Sequence, residues 1–304
     1  VGGSVLVRWL TALNFRWVRS PPAGNRVNRR RAQTYETHAS GSNTPTLIDV
    51  TPQAPADIAG LFSSLLATDP GRPRVTWYGP QGERVEFSAK TLGNWVAKTS
   101  NLLVQELDCE PGSTVGIALP VHWRTVSWLL ACWAVGVHAV VFDENLGPAR
   151  TDLAFDVLVT DRPSTPPQGS TEAALVVVAL PSLATRWTGD VPPGAIDAAA
   201  EIRLQPDAFT PYAAPTPGSP ALTTGELTVA YADLLVQART AAGDPGTRLL
   251  SGAGPSRSIE AYLAPLVAGG SVVLHHDLTG LDPAQLEHLI EQEQVTATDL
   301  GPSL

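Results

Sequence analysis

Gly252-Ala253-Gly254 stands where a strand is expected to turn into a helix, a place where backbone N–H groups can approach a dinucleotide pyrophosphate. Arg257 takes the position of the third glycine, so the segment reads as an ordinary strand-to-helix turn. His275-His276 followed by Asp277 offers metal-ligand chemistry, but adjacent residues on a strand point to opposite faces and no second His or Cys cluster accompanies them. A strand end is the better reading. No Gly-x-Ser-x-Gly elbow exists to present a serine nucleophile. Cys109 and Cys132 are too few for a disulfide framework or a zinc cage, which points to a reduced, cytoplasmic protein with both thiols buried as small hydrophobes. Lys90 and Lys98 are the only lysines, so a phosphate site beyond residue 98 would have no lysine to use.

Around these residues lies an acidic body. The chain has 304 residues, a formal net charge of -9 and 43% hydrophobic content, enough for a substantial core. Seven arginines, from Arg8 to Arg31, precede the first acidic residue, Glu36, leaving thirteen basic residues against all 29 acidic ones in the remainder. Such a surface repels nucleic acid and anionic membranes, so neither is expected as a partner. Trp77, Trp95, Trp123, Trp128 and Trp133 are accordingly read as core or rim packing, not as stacking platforms for bases.

The elements that must position any site emerge from periodicity. Residues 1–55 lack a repeating pattern and read as a disordered basic extension or an over-called start, with a targeting or RNA-binding arm as the sharper alternative; removal of residues 1 to about 50 is expected not to affect folding. From Asp57, Ile58, Leu61, Phe62, Leu65 and Leu66 define one helix face. Arg74 to Tyr78 and Glu83 to Phe87 flank Gly79-Pro80-Gln81-Gly82 as a hairpin, and Ser88 caps a helix carrying Leu92, Trp95, Val96, Thr99, Leu102 and Leu103. Thr114 to Leu119, His122 to Val135 and Val137 to Phe142 form a βαβ unit, so the sheet is partly parallel. Strands are expected at Asp156 to Thr160 and Ala174 to Leu180. After a junction come helix Val229 to Ala241, strand Thr247 to Leu250, helix Ser258 to Ala268, strand Ser271 to His275, a helix opened by Asp282-Pro283, and strand-like Val295 to Thr298. The fold class is α/β, with layered, mostly parallel sheets flanked by helices. The expected division is a first subdomain at 56–180, a Pro/Ala/Gly-rich junction at 181–220 and a second subdomain at 221–304.

This order of elements resembles the N-terminal part of the adenylate-forming enzymes, the AMP-dependent synthetases and acyl-CoA ligases. Five stretches carry the likeness: Arg74 to Leu103; Pro111-Gly112 with Val115 to Leu119; the next helix and strand to Val141; Leu263-Ala264-Pro265-Leu266 through Val273; and Leu286 to Thr296. Gly269-Gly270-Ser271-Val272-Val273 is similar to the family's glycine turn into a strand, and Val295-Thr296 to Pro302-Ser303-Leu304 to its Val-Thr…Pro-Thr-Leu segment. The likeness spans about residues 57 to 304. It is shared with short proteins of high-GC Gram-positive bacteria that carry only this N-terminal part, and 18 arginines to two lysines suit such a genome.

The resemblance also implies a site. The family's phosphate loop runs Thr-Ser-Gly-Thr-Thr-Gly-x-Pro-Lys-Gly ahead of a helix containing Asn/Asp-Leu-Leu, which here is Asp233-Leu234-Leu235. Read backward without gaps, the loop position holds residues 216–225, in which Thr216, Gly218, Ser219 and Gly225 fit, while Thr223 and Thr224 complete the degenerate phosphate-loop set without matching it. Departures fall on the parts such a cradle needs. Pro217 and Pro220 lack N–H donors, Ala221 replaces a glycine, and Thr224 replaces the lysine. The family's adenine, magnesium and ribose contacts and its lid lysine are expected to have no counterpart, because they lie further along than Leu304. The resemblance with these departures implies a degenerate relative without catalytic residues or cofactor, binding or regulating through a protein partner. The alternative is an acid-activating ligase that uses ATP, forms AMP and needs magnesium, completed by another chain or a missing C-terminal part. A purely structural subunit is the third class.

Overall fold

The computed structural model describes residues 54–142, 154–165 and 172–300, so the reading of residues 1–55 falls outside it but for Ala54 and Pro55, as does the Pro302-Ser303-Leu304 end of the resemblance. Asp57 accepts a hydrogen bond from the N–H of Gly60 and opens α1 (Ile58–Thr68), whose Ile58, Leu61, Phe62 and Leu65 are buried. Leu66 is 39% exposed, making that apolar face narrower than expected. β1 (Pro73–Tyr78) and β2 (Arg84–Ser88) form the predicted hairpin, and Ser88 Oγ accepts from Thr91 N to start α2 (Ala89–Gln105). β3 (Thr114–Ala118), α3 (Trp123–Val135) and β4 (His138–Val141) are the βαβ unit, with β3 and β4 parallel.

β5 (Val157–Thr160), β6 (Ala174–Val177), β7 (Ile196–Asp197) and α4 (Ala198–Glu201) come after it. Next are β8 (Pro220–Thr224), β9 (Leu227–Ala230) and α5 (Tyr231–Ala241). The helix expected from Val229 therefore starts at Tyr231, because residues 227–230 pair with β8 instead. After β10 (Arg248–Ser251) the expected helix is a 3-10 turn at Pro255–Arg257, a π turn at Ile259–Leu263 and α6 (Ala264–Val267). Pro265 has no N–H to give the carbonyl four residues back, and the wider turn, in which Ala264 N reaches Ile259 O, accommodates that gap. β11 (Ser271–His275), α7 (Pro283–Gln292) and β12 (Ala297–Asp299) complete the order, α7 opening on a capping box between Asp282 and Gln285. The turn into β11 needs both its glycines: Gly269 has φ +66, and a Cβ on Gly270 would lie 2.0 Å from Thr247 O.

Among the described residues the strands form two sheets. One runs β12-β10-β11-β1-β2 and is parallel except for the β1–β2 hairpin; the other runs β7-β6-β5-β3-β4-β8-β9 and is parallel except for β8–β9. The Pro/Ala/Gly-rich stretch at 181–220 does not divide the sheets. β8 joins β4 in one sheet and β1 joins β11 in the other, so residues before and after the junction share both sheets. One apolar core takes in Val75, Trp77, Val272 and Leu274 from the first sheet and Val115, Ile117, Ala139 and Val141 from the second, with Leu92, Leu102, Val126 and Leu130 of α2 and α3. α7 covers the far face of the five-stranded sheet through Leu289, against Leu250 and Val273. The six residues expected in the core, Val115, Ile117, Leu129, Leu130, Val140 and Val141, are all buried. So are Trp77, Trp123, Trp128 and Trp133, while Trp95 lies half-buried at the rim. Among the described residues no helix is long and apolar enough to cross a membrane.

Candidate functional site

In open parallel sheets ligands gather outside the carboxyl ends of the strands. Here the carboxyl end of β1 in one sheet meets segments just past β3 and β6 of the other. Trp77, late in β1, donates its indole N–H to Val121 O and packs on His122 at 4.1 Å, while His122 lies just past the carboxyl end of β3. Glu83, in the β1–β2 turn, accepts from Ser182 N and Oγ, both at 2.9 Å, beyond the end of β6. His122 caps α3: its Nδ1 accepts from Arg124 N at 3.0 Å, which leaves Nε2 to donate to Leu180 O at 2.9 Å. Burial, reinforced by the Arg124 charge, lowers its pKa to about 3, so this ring is a neutral structural cap at physiological pH.

The residues expected to cradle phosphate do not form one loop. β8 runs through the middle of that segment, putting Thr216, Gly218 and Ser219 before the strand and Thr223, Thr224 and Gly225 at its other end. At ~3.3 Å per residue, the four steps from Ser219 to Thr223 put the two groups about 13 Å apart at their nearest. Ser219 folds onto its own turn, with N and Oγ both donating to Thr216 O. Thr223 is buried, and its hydroxyl bonds His138 Nε2 at 2.8 Å and Thr228 Oγ1 at 2.9 Å. Gly225, at φ +54, makes a two-residue turn with Glu226, closing the hairpin between the paired Thr224 and Leu227. Pairing to β4 on one side and β9 on the other draws this stretch into a strand.

The amino end of α5, which in a phosphate site would present free N–H groups, is answered from within the chain. Tyr231 N donates to Ser219 O at 3.0 Å and Ala232 N to Pro217 O at 2.9 Å. Asp233 adds a negative charge to that first turn.

Two other groupings escape a reading of the sequence. At the carboxyl end of the five-stranded sheet, Asp299 Oδ1 pairs with Arg257 at 3.0 Å and its Oδ2 accepts from Ser251 Oγ at 3.2 Å. Ser251 Oγ also accepts from Ala253 N, and Tyr262 OH donates to Ala253 O, which makes Gly252-Ala253-Gly254 a braced turn. The second grouping is a pocket of about 520 Å³ among α2, the start of α3 and residues 182–185, lined in part by Lys98, Arg124 and Arg203. His275 accepts from Asp277 N and stacks near Tyr78, as a strand end would. Among the described residues no three His, Cys, Asp or Glu side chains gather to hold a metal ion. Cys109 and Cys132 are buried free thiols, and burial raises the Cys109 pKa to about 12. One signal for the pocket was available, a lone arginine at the start of an otherwise apolar helix.

No family model matches the chain. A Mycobacterium tuberculosis (strain ATCC 25618 / H37Rv) protein described as "TIGR03089 family protein" is 32% identical over 244 residues, covering 80% of this chain and 98% of its own length. The chain belongs to the TIGR03089 family. Among solved structures, this TIGR03089 chain is similar to an acyl-CoA synthetase of Brucella canis, with a TM-score of 0.63 and 16% identity over 81% of the chain. It spans 47% of that synthetase. The likeness is one of fold, and it bears out the expected layered α/β architecture with mostly parallel sheets.

Proposed function

We propose that this TIGR03089 protein is a non-catalytic member of the adenylate-forming fold, with a binding or regulatory role in place of acid activation. One observation carries the reading: the carbonyls of Pro217 and Ser219 occupy the first N–H groups of α5. A triphosphate would have to break both bonds and then meet Asp233, with no lysine anywhere after residue 98 to offset the charge. The residues present therefore do not fit ATP or its magnesium at this position. Cytoplasmic residence and action through a protein partner belong to the same reading.

Calorimetry with magnesium-ATP and carboxylate-dependent pyrophosphate exchange over fatty and aromatic acids test it. No binding heat and no exchange are expected. Micromolar ATP affinity, or exchange lost on changing Gly218 or Ser219, would instead make the protein an acid-activating ligase.

A further inference from the structure

Arg124 is 4% exposed, and its Nε–H has no hydrogen-bond partner among the described residues. Its guanidinium lies over Trp123 at 4.4 Å and 5.7 Å from the ring centre of Trp95, and one terminal nitrogen stands at 3.5 Å from Ala184 O. Aromatic faces attract the charge but leave N–H capacity over, and a buried donor without an acceptor is costly. The side chain lines the pocket of about 520 Å³ beside α3, within the range of small-molecule sites. Lys98 from α2 and the exposed Arg203 line the same space. Three cations from separate elements thus line one pocket in a body whose acidic residues outnumber its basic ones.

Two carboxylates near them are engaged elsewhere. Asp197 is the acidic group whose field reaches Arg124, yet its oxygens accept from Trp187 N at 2.7 Å and from Ala199 and Ala200 N. Glu83 is turned to Ser182. Lys98 Nζ donates to Gln205 O, a neutral partner that leaves its charge in place.

We propose that this pocket binds a phosphoryl group, carried on a small apolar or aromatic body or as free phosphate. Three cationic side chains lining one pocket supply more charge and more N–H donors than a single planar carboxylate would use, which suits a phosphoryl group with its three oxygens and higher charge. Half-buried Trp95 and Leu183, which is 92% exposed, supply the apolar wall. Burial draws the Arg124 pKa down to about 10, so the guanidinium stays charged at neutral pH. The site lies apart from the amino end of α5, and the inference stands whether or not the chain activates acids.

The test is calorimetry and thermal shift on the full chain with inorganic phosphate, phenyl phosphate and benzoate. Saturable binding of at least one phosphate probe is expected, weakened about tenfold by Arg124→Lys and about fivefold or more by Arg203→Ala. Arg239→Ala, which removes a cation elsewhere on the surface, should leave affinity unchanged. Because Arg203 is exposed, its variant separates binding from folding even if Arg124 variants fold poorly. Tighter binding of phenyl phosphate than of inorganic phosphate identifies an organic phosphate as the ligand class, and equal binding identifies free phosphate. Absence of saturation by either probe up to about 10 mM, benzoate binding as tightly as both, or affinity indifferent to Arg203→Ala would each overturn the proposal.

Discussion

Arg248 and Arg124 are both largely buried guanidiniums beside cavities, of about 350 and 520 Å³, and their surroundings treat them in opposite ways. Every nitrogen of Arg248 is answered: Nε by Glu293 O, one terminal nitrogen by Ser271 Oγ at 3.1 Å, the other by Thr76 Oγ1 and the Glu293 carboxylate. Glu293 also takes Arg84 Nε at 2.8 Å and the Tyr78 hydroxyl, tying β1, β2 and β10 to the end of α7. Arg124 has two indole faces, one distant carbonyl and an Nε with nothing to bond among the described residues. The first arrangement is complete without a ligand, and the second is not. Between these two arginines beside cavities, the difference lies less in burial or charge than in how far their hydrogen bonds close.

The largest effect that would sharpen this contrast is at Glu293. Removing one partner of a buried ion pair leaves uncompensated charge, so Glu293→Ala should cost about 3–5 kcal/mol in urea unfolding. Arg203→Ala, an exposed change, should stay within about 0.5 kcal/mol. A loss below about 1 kcal/mol for Glu293→Ala would mean that the Arg248 cluster is no more integral to the fold than the pocket.

Acid titration probes the same two regions through different groups. Burial alone would raise the Glu293 pKa, but hydrogen bonds from Arg84, Tyr78 and Arg248 outweigh it and bring it from 4.5 to about 2. Its stabilisation is therefore present above pH 4.5 and lost as pH falls toward 2. His122, lowered from 6.5 to about 3 by burial and by Arg124, stabilises the fold fully above pH 6.5 and loses that contribution as pH falls toward 3. His122→Asn keeps a good helix cap and removes the titration, so proton uptake on unfolding near pH 5.5 should fall by about one, or ~1.4 kcal/mol per pH unit. An unchanged slope would show that His122 is not held neutral beside Arg124.

The fold is legible in the sequence where burial repeats locally. Val115 and Ile117, Val140 and Val141, and the Asp282-Pro283 opening each carry their periodicity or cap within a few residues. β8 and β9 are not, because residues 223–228 are rich in threonine and glycine and read as loop; only pairing with β4 makes them strands. The junction at 181–220 has loop composition, and composition cannot show that the chain returns to a sheet it had left. The anion pocket is non-local in the same way. Lys98, Arg124 and Arg203 lie on different elements with no shared spacing, whereas the phosphate-loop residues share a spacing and are then separated by a strand.

A smaller effect is expected at the hairpin turn. Gly225→Ala places a side chain at φ +54 and should cost about 1 kcal/mol in the same urea assay, with no effect on phosphate affinity in the Arg124 pocket. A tenfold change in that affinity would join two regions that share no residue.

The smallest effect tests the comparison from the other side, by adding the cation that the hairpin lacks. Thr224→Lys restores the residue type that the family resemblance calls for, on a position that is part-exposed and can carry a flexible, solvated side chain. Stability should change by less than about 0.5 kcal/mol. Magnesium-ATP should still not bind, because Thr224 and the Thr216–Ser219 turn lie at opposite ends of β8, too far apart for one lysine to span. The α5 N–H groups would also remain bonded to Pro217 O and Ser219 O. A charge-assisted contact contributes about 1.5–3 kcal/mol when donor and acceptor meet, and it contributes nothing when the phosphate has no cradle to hold it there. Submillimolar ATP binding by Thr224→Lys, read by calorimetry, would mean that the hairpin opens to admit nucleotide, leaving the missing lysine as its chief defect. Continued silence there, alongside phosphate binding at Arg124, would place the chain's anion recognition beside α3, where donors lack acceptors, and away from the hairpin, where the hydrogen bonds already close.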